Sequence, residues 1–175
     1  MGDRLAALET ALAERPEAPT LVFLHHPPFD CGIRHMDRIA LSEGRDELAR
    51  IITANRQVER VLCGHHHRPI QIRFAGTIAQ IAPSVAHQVT LDLTPDDPGS
   101  MIMEPPAFLL HLWHKEALIT HQAYVEAAPG PFPFVLDADY PGGDRNNGQE
   151  ETAAATPEKF RPQSRPSAIT SIKTI

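Results

Sequence analysis

The stretch Gly64-His65-His66-His67 constrains this chain more than any other, because it directly follows the apolar run Val61-Leu62-Cys63. An apolar run that stops at a glycine and then presents His-x-His reads as a strand delivering imidazoles into a loop. Side chains alternate along extended backbone, so His65 and His67 are expected on one side and His66 on the other. Neutral imidazole is a good ligand for transition metals such as zinc, manganese, iron, cobalt or nickel. A second site of the same kind lies upstream, where Leu21-Val22-Phe23-Leu24 runs into His25-His26-Pro27-Pro28. If the two strands are neighbours in one sheet, their histidine-loaded ends converge. Six of the ten histidines fall between His25 and His67, which is more clustering than scattered surface histidines would give.

The rest of the pattern supplies a frame for those two strands. Leu5, Leu8 and Leu12 share one helical face, with Arg4, Glu9 and Glu14 off it, and the helix is expected to stop before Pro16. Leu21 to Leu24 and Val58 to Cys63 read as buried strands. Residues 27–42 read as loop, followed by a helix over residues 43–55 with Leu48, Ile51 and Ile52 inward and Ser42 as its cap. After the histidines the period changes from 3.6 to 2. Ile70, Ile72 and Phe74 alternate with polar residues, Gly76 turns the chain into residues 77–82, and alternation returns at Val89, Leu91 and Leu93. It returns again at Phe108, Leu110 and Leu112, and residues 118–125 close the series, all in the manner of antiparallel strands. From about residue 127 the composition turns to Pro, Gly, Asn, Thr and Ser. Such a segment buries too little apolar surface to offset its ordering entropy. The expected division is a folded part over residues 1–139, with Phe132 and Phe134 pinning its end, and a disordered tail over residues 140–175.

Composition excludes several classes of function. A net charge of −6, with no block of Lys or Arg, argues against a nucleic-acid polymer or an anionic membrane as partner. Cys31 and Cys63 form neither a CxxC zinc framework nor a disulfide scaffold, so reduced thiols in a cytoplasmic protein are expected. No apolar run is long enough to span a bilayer. The N-terminus carries acids and has no apolar core of a secretory signal.

Three folds place His-x-His at a metal. A cupin wants a Glu three or four residues beyond the second His, where Ile70 and Gln71 stand; a metallo-β-lactamase site wants an Asp where Pro69 stands. The third is the calcineurin-like metallophosphoesterase superfamily. The chain resembles its branch of class III cyclic-nucleotide phosphodiesterases and glycerophosphodiesterases. The likeness is carried by His25-His26-Pro27-Pro28-Phe29, Gly32, Met36-Asp37, Val61 to His67, Pro83 and Ala86-His87-Gln88. It covers about residues 5–140.

The resemblance implies an α/β fold: the C-terminal half of a four-layer α/β/β/α sandwich, with a mixed sheet plus antiparallel strands. It also implies a site for two divalent metal ions (Mn, Fe, Zn or Co) at the strand ends. Carried over by position, His25 and His65 would bind one metal and His67 the other. His26 and His66 would support them or face outward, and His87 and Asp37 would lie near the substrate pocket. The implied reaction is hydrolysis of a small phosphodiester, such as a cyclic nucleotide or a glycerophosphodiester, by a hydroxide activated between two metals. His111, His114 and His121 read as plain strand residues, and Cys63 as a small buried hydrophobe.

The sequence departs from the family pattern in one respect. The motifs Asp-x-His, Gly-Asp and Gly-Asn-His-Asp, which supply the bridging carboxylate and further ligands, do not occur in it. The chain is therefore expected to represent the second half of such an enzyme and to hold one metal when alone. The alternative reading is a truncated, non-catalytic fragment binding at most one metal. A homo-oligomer or a complementing N-terminal half is the expected protein partner.

Overall fold

The computed structural model describes residues 2–131 and the backbone of residues 171–174. The chain divides into two units, residues 1–126 with 166–175, and residues 127–165. Every element below belongs to the first. The expected pinning by Phe132 and Phe134 lies outside the described residues, as does most of the expected tail.

Helix α1 (Gly2–Ala13) buries Leu5, Leu8 and Leu12, the stripe expected from their spacing. It leads to β1 (Thr20–Leu24), and a short helix α2 (Arg34–Asp37) interrupts the stretch expected to be all loop. Helix α3 (Arg45–Ala54) buries Leu48, Ile51 and Ile52. Its N-cap is Gly44, in the left-handed region at φ 76, and no side chain caps it, so the expected cap at Ser42 is corrected. Strand β2 (Val58–Cys63) follows, then the hairpin β3 (Ile70–Phe74) and β4 (Thr77–Ile81). Ala75 and Gly76 both take positive φ in that turn, as a tight two-residue hairpin requires.

The sheet runs β3-β4-β2-β1-β9, where β9 is Ser171–Thr174. Strands β1, β2 and β4 are parallel, β3 is antiparallel to β4, and β9 pairs parallel with β1. The sheet is mixed, as expected. Strand β9 falls inside the stretch expected to be a disordered tail, and there the structure differs: parallel pairing to β1 gives those four residues the ladder partners their composition does not advertise. Pairing of β1 with β2 shifts register after Thr20, which skips Glu59 and lets both Val58 and Val61 bury toward the helices.

One face of the sheet packs under α1 and α3, where Val22, Val61, Ala79 and Ile81 meet Leu8, Leu48 and Ile51 with almost no exposure. The opposite face carries Phe23, Leu62 and Gln80. It is approached by the antiparallel hairpin β7 (Ala107–His114) and β8 (Ala117–Tyr124). Arg60 ties the two together by donating to Gln80 at 3.1 Å and to Thr120 at 2.8 Å. Between them opens a cavity of about 440 Å³, lined by Phe23, His25, Leu62, Gln80, Phe108 and His111 among others. The outer face of the hairpin leaves Leu110, Leu112 and Ile119 exposed.

The strand expected through Val89, Leu91 and Leu93 is much shorter. Only β5 (Gln88–Val89) pairs, with β6 (Met101–Ile102), while Leu91 and Leu93 are 59% and 64% exposed. Alternation there reflects a loop carrying apolar side chains outward, because cross-chain pairing ends with the Thr90 N–H, which donates to the Ser100 carbonyl at 3.0 Å.

Candidate metal centre

Two parallel neighbours, β1 and β2, end side by side with Leu24 opposite Cys63, so the residues that follow must converge. Gly64 N–H donates to the His25 carbonyl at 3.1 Å and closes the gap between the two loops. A side chain at position 64 would sit 3.5 Å from the His25 ring, so glycine keeps the cleft between them open. His65 Nδ1 then lies 3.2 Å from His25 Nε2.

That distance is informative. Two imidazole nitrogens bound tetrahedrally to one zinc-like ion at about 2.0–2.1 Å stand about 3.3–3.4 Å apart. The pair stands at hydrogen-bond distance, which is also close to the spacing of two ligands of one ion. His26 joins it: ligand atoms of His25, His26 and His65 all lie within 4.8 Å of one another. The His26 ring centre is 4.3 Å from that of His65 and 4.9 Å from that of His25. His67 lies outside this trio and pairs instead with His87, ring centres 4.9 Å apart. It remains near enough to the trio to feel the charge of His25. The structure thus brings together His25 and His65 of the expected ligand set, adds His26, and sets His67 with His87 alongside.

Burial lowers the pKa of His65, and the neighbouring His26 and His25 lower it further. Burial does the same to His67, seconded by His87 and His25. Both shifts favour the neutral imidazole, the form able to bind a metal. His65 Nε2 is buried and makes no hydrogen bond of normal geometry, although the Ile39 carbonyl is close enough to act on the ring. An orphaned imidazole nitrogen beside a carbonyl is the arrangement that, once closed, fixes a ligand's tautomer.

The backbone corrects the expected route to this geometry. Strand β2 ends at Cys63, so pleated strand backbone is not what carries His65 and His67 to their places, while His66 is buried between two half-buried neighbours. Both instead adopt left-handed φ, 67° and 47°. Left-handed backbone in a residue with a side chain costs about 1–3 kcal/mol and persists where surroundings over-determine it, often at functional sites. His66, between them, does not face outward: it is fully buried, and burial pushes its pKa down to about 4, with His65 adding to the effect.

The remaining candidates have structural employment. Asp37 accepts from the Cys31 amide at 2.7 Å and the Gly32 amide at 3.1 Å, so both its oxygens clamp the loop that follows β1. Asp30 pairs with Arg45 at 2.7 Å. His111 Nδ1 is 2.9 Å from the Thr120 hydroxyl, in keeping with a plain strand histidine. Cys63 is buried and its thiol is pushed up to about 12 by desolvation; Cys31 rises to about 11 for the same leading reason. Neither is a poised nucleophile.

A mixed α/β sheet with histidines gathered at the ends of adjacent parallel strands makes this an α/β protein with a candidate metal site at its strand ends. Comparison with known proteins narrows it. No protein-family model matches the chain. A probable glycerophosphodiester phosphodiesterase of Arcobacter nitrofigilis is 41% identical over 133 residues, which is 75% of this chain and 49% of that protein. A probable cyclic nucleotide phosphodiesterase of Rhodopseudomonas palustris is 41% identical over 122 residues, 68% of this chain and 43% of that protein. The 3',5'-cyclic adenosine monophosphate phosphodiesterase of Escherichia coli K12 is 33% identical over 85 residues, 49% of this chain and 30% of that protein. The chain belongs to the calcineurin-like metallophosphoesterase superfamily, in its branch of cyclic-nucleotide and glycerophosphodiester phosphodiesterases. It spans about half the length of the curated relatives it matches, 49% and 43% for the first two. No helix among the described residues is long and apolar enough to cross a membrane.

Proposed function

We propose that this chain supplies the histidine side of a metal-dependent phosphodiesterase that cleaves a small phosphodiester, such as a cyclic nucleotide or a glycerophosphodiester. The observation that carries the reading is the 3.2 Å spacing of His65 Nδ1 and His25 Nε2 at the ends of paired strands. In this reading His25 and His65 hold one ion, with His26 beside them. His67 and His87 form the flank where a second ion and the substrate phosphate meet. When bound, the metals supply electrophilic activation of the phosphoryl oxygens and a nucleophile at neutral pH. The chain's own part is to favour the neutral imidazole, and burial acts in that direction at His65 and His67.

Charge decides how much the chain can do alone. Imidazoles are neutral and leave two divalent ions unbalanced. Asp37 and Asp30, the acids of the loop after β1, are already spent on two amides and on Arg45. A bridging carboxylate therefore comes from another segment or a second chain, which would also cover the exposed outer face of β7–β8 and complete a four-layer sandwich. Alone, the chain is the one-metal form. Two free cysteines suit the cytoplasm.

Titration of the purified chain with Zn²⁺ or Mn²⁺ by calorimetry tests this. We expect one ion per chain, lost on His25→Ala or His65→Ala, and little turnover of bis(p-nitrophenyl) phosphate. Failure to bind any divalent ion, or binding that survives both substitutions, would sink the metal reading. Turnover within about tenfold of a full-length relative would overturn the one-metal reading; that factor corresponds to only about 1.4 kcal/mol of barrier.

A further inference from the structure

The ribbon of β5 (Gln88–Val89) and β6 (Met101–Ile102) pairs only two residues on each side. A ribbon that short is not stable on its own strand pairing. It nevertheless carries His87 at its entrance, with the ring centre 4.9 Å from that of His67. The tip of the ribbon is held by His35, whose Nδ1 lies 2.6 Å from Asp97 of the connecting loop. The end that carries His87 is held by Arg68, the residue after His67. Its Nε donates to the Val89 carbonyl in β5 at 2.7 Å, and its Nη2 donates to both carboxylate oxygens of Glu104, just past β6, at 2.8 Å each. One largely buried guanidinium therefore grips both strands of the ribbon from the histidine loop.

We propose that Arg68 is a positioning residue: by holding Val89 it sets His87 against His67, and Glu104 keeps the guanidinium aimed at that task. The use of this histidine pair at a phosphate rests on the reading above; its placement does not. Two observations make Val89 the point of control. The loop ahead of it is closed on itself. The buried Gln88 side chain accepts from the Ser84 amide at 3.1 Å and donates to the Ser84 carbonyl at 2.7 Å, and the Ser84 hydroxyl accepts from the Ala86 amide at 3.1 Å. The Ser84 carbonyl also accepts from the Ala107 amide at 3.0 Å, which anchors the start of this loop to β7. His87 lies inside the closed loop, and Val89 is where the loop leaves it. The other link between Val89 and the histidine loop is its amide to the His67 carbonyl, which at 3.4 Å is longer than an ordinary N–H···O bond. The Arg68 bond is shorter and charge-assisted, and such bonds are about twice as strong as neutral ones. Lysine cannot replace it: an ammonium is a point donor on a flexible stem, whereas the planar guanidinium holds Nε and Nη2 in fixed directions.

The test uses the full chain in chelator, as wild type, Arg68→Met, Arg68→Lys and Glu104→Gln, with NMR of the carbon-bound imidazole protons at about pH 8, where imidazole is neutral. The wild type should show a nuclear Overhauser contact between the His67 and His87 rings. An internal standard comes from His25 and His65, whose ring centres are also 4.9 Å apart. Arg68→Met and Arg68→Lys are expected to lose the His67–His87 contact and to keep the His25–His65 contact. Glu104→Gln, which still offers Nη2 an acceptor oxygen, should keep both. A wild-type His67–His87 contact in Arg68→Met or Arg68→Lys would overturn the proposal, as would its absence from the wild type. Equal loss of both contacts would also overturn it, since that marks a general loosening. If Arg68→Met does not fold, Arg68→Lys decides alone by the same criterion. Inorganic phosphate added to the zinc-loaded protein tests the phosphate reading separately. It should move the His67 and His87 ring resonances of the wild type, and Arg68→Met should need about 10-fold more phosphate for the same movement. If phosphate moves neither ring in the wild type, the phosphate reading fails, and the contacts in chelator still decide the role of Arg68.

Discussion

Replacing His65 by glycine should stabilise the metal-free protein relative to replacing it by alanine, reversing the usual order of those two residues. His65 sits at φ 67, in the left-handed region. A residue with a Cβ is held there at about 1–2 kcal/mol, a cost glycine does not bear. Glycine instead loses about 0.5–1 kcal/mol more chain entropy than alanine on folding. The ring contacts with His25 and His26 vanish in both variants and cancel in the comparison. The net advantage of glycine is about 0.5–1 kcal/mol. With a urea slope of about 2 kcal/mol/M, that is a midpoint raised by about 0.3–0.5 M. Circular dichroism in chelator would follow the whole fold, and the fluorescence of Trp113, the single tryptophan, would follow β7. Gln71, an exposed position in β3, is the control, since there alanine should be the more stable by about 0.5–1 kcal/mol. An alanine variant at position 65 as stable as the glycine variant would refute the claim that this backbone stores strain.

Two further outcomes follow from the same coordinates. Asp37→Ala removes the acceptor of the Cys31 and Gly32 amides and should cost about 2 kcal/mol in urea unfolding, at the low end for charged hydrogen bonds because Gly32 is exposed; no loss would show that the loop after β1 holds without its clamp. Cys63 titrates in the folded protein near 12, well above its ordinary 9.0, because burial penalises the thiolate. The unfolded chain therefore releases this proton first, so stability is full below about pH 9 and falls by about 1.4 kcal/mol per pH unit above it, until the folded thiol also ionises. Cys63→Ala should flatten that alkaline slope, and an unchanged slope would place its origin elsewhere.

The frame of this fold was legible because its elements bury one face each. Leu5, Leu8 and Leu12 on α1, and Leu48, Ile51 and Ile52 on α3, repeat at the helical period and all lie in the core. Strands β1 and β2 were legible as apolar runs of strand length, and β3, β7 and β8 by alternation. Besides β9 and the cap of α3, two features escaped for reasons of pattern. Helix α2 spans four residues, too few to show a period, and buries only Met36. Alternation at Val89, Leu91 and Leu93 mimicked a strand although backbone pairing ends at Thr90, whose N–H donates to the Ser100 carbonyl at 3.0 Å, short of Leu91 and Leu93. Side-chain pattern reports which residues could face one way; it does not report whether a neighbour is there to pair with.

The candidate site shows the same limit at the place where it matters for chemistry. Convergence of His25 and His65 followed from two apolar runs, because parallel neighbours in one sheet end together. The backbone route to the individual histidines did not follow, since pleat alternation is a property of paired backbone, β2 stops pairing at Cys63, and His65 and His67 take positive φ. Beyond that residue the chain is steered by single long-range bonds: Gly64 to the His25 carbonyl at 3.1 Å, Ala82 to the Cys63 carbonyl at 2.9 Å, and Val89 to the His67 carbonyl at 3.4 Å. Those bonds, with two residues at positive φ, bring His26 to the cluster and turn His66 inward. None of them leaves a periodic trace in sequence. A candidate metal centre can therefore be located from strand-end motifs, while which histidines gather there depends on loop hydrogen bonds that leave no pattern in the sequence.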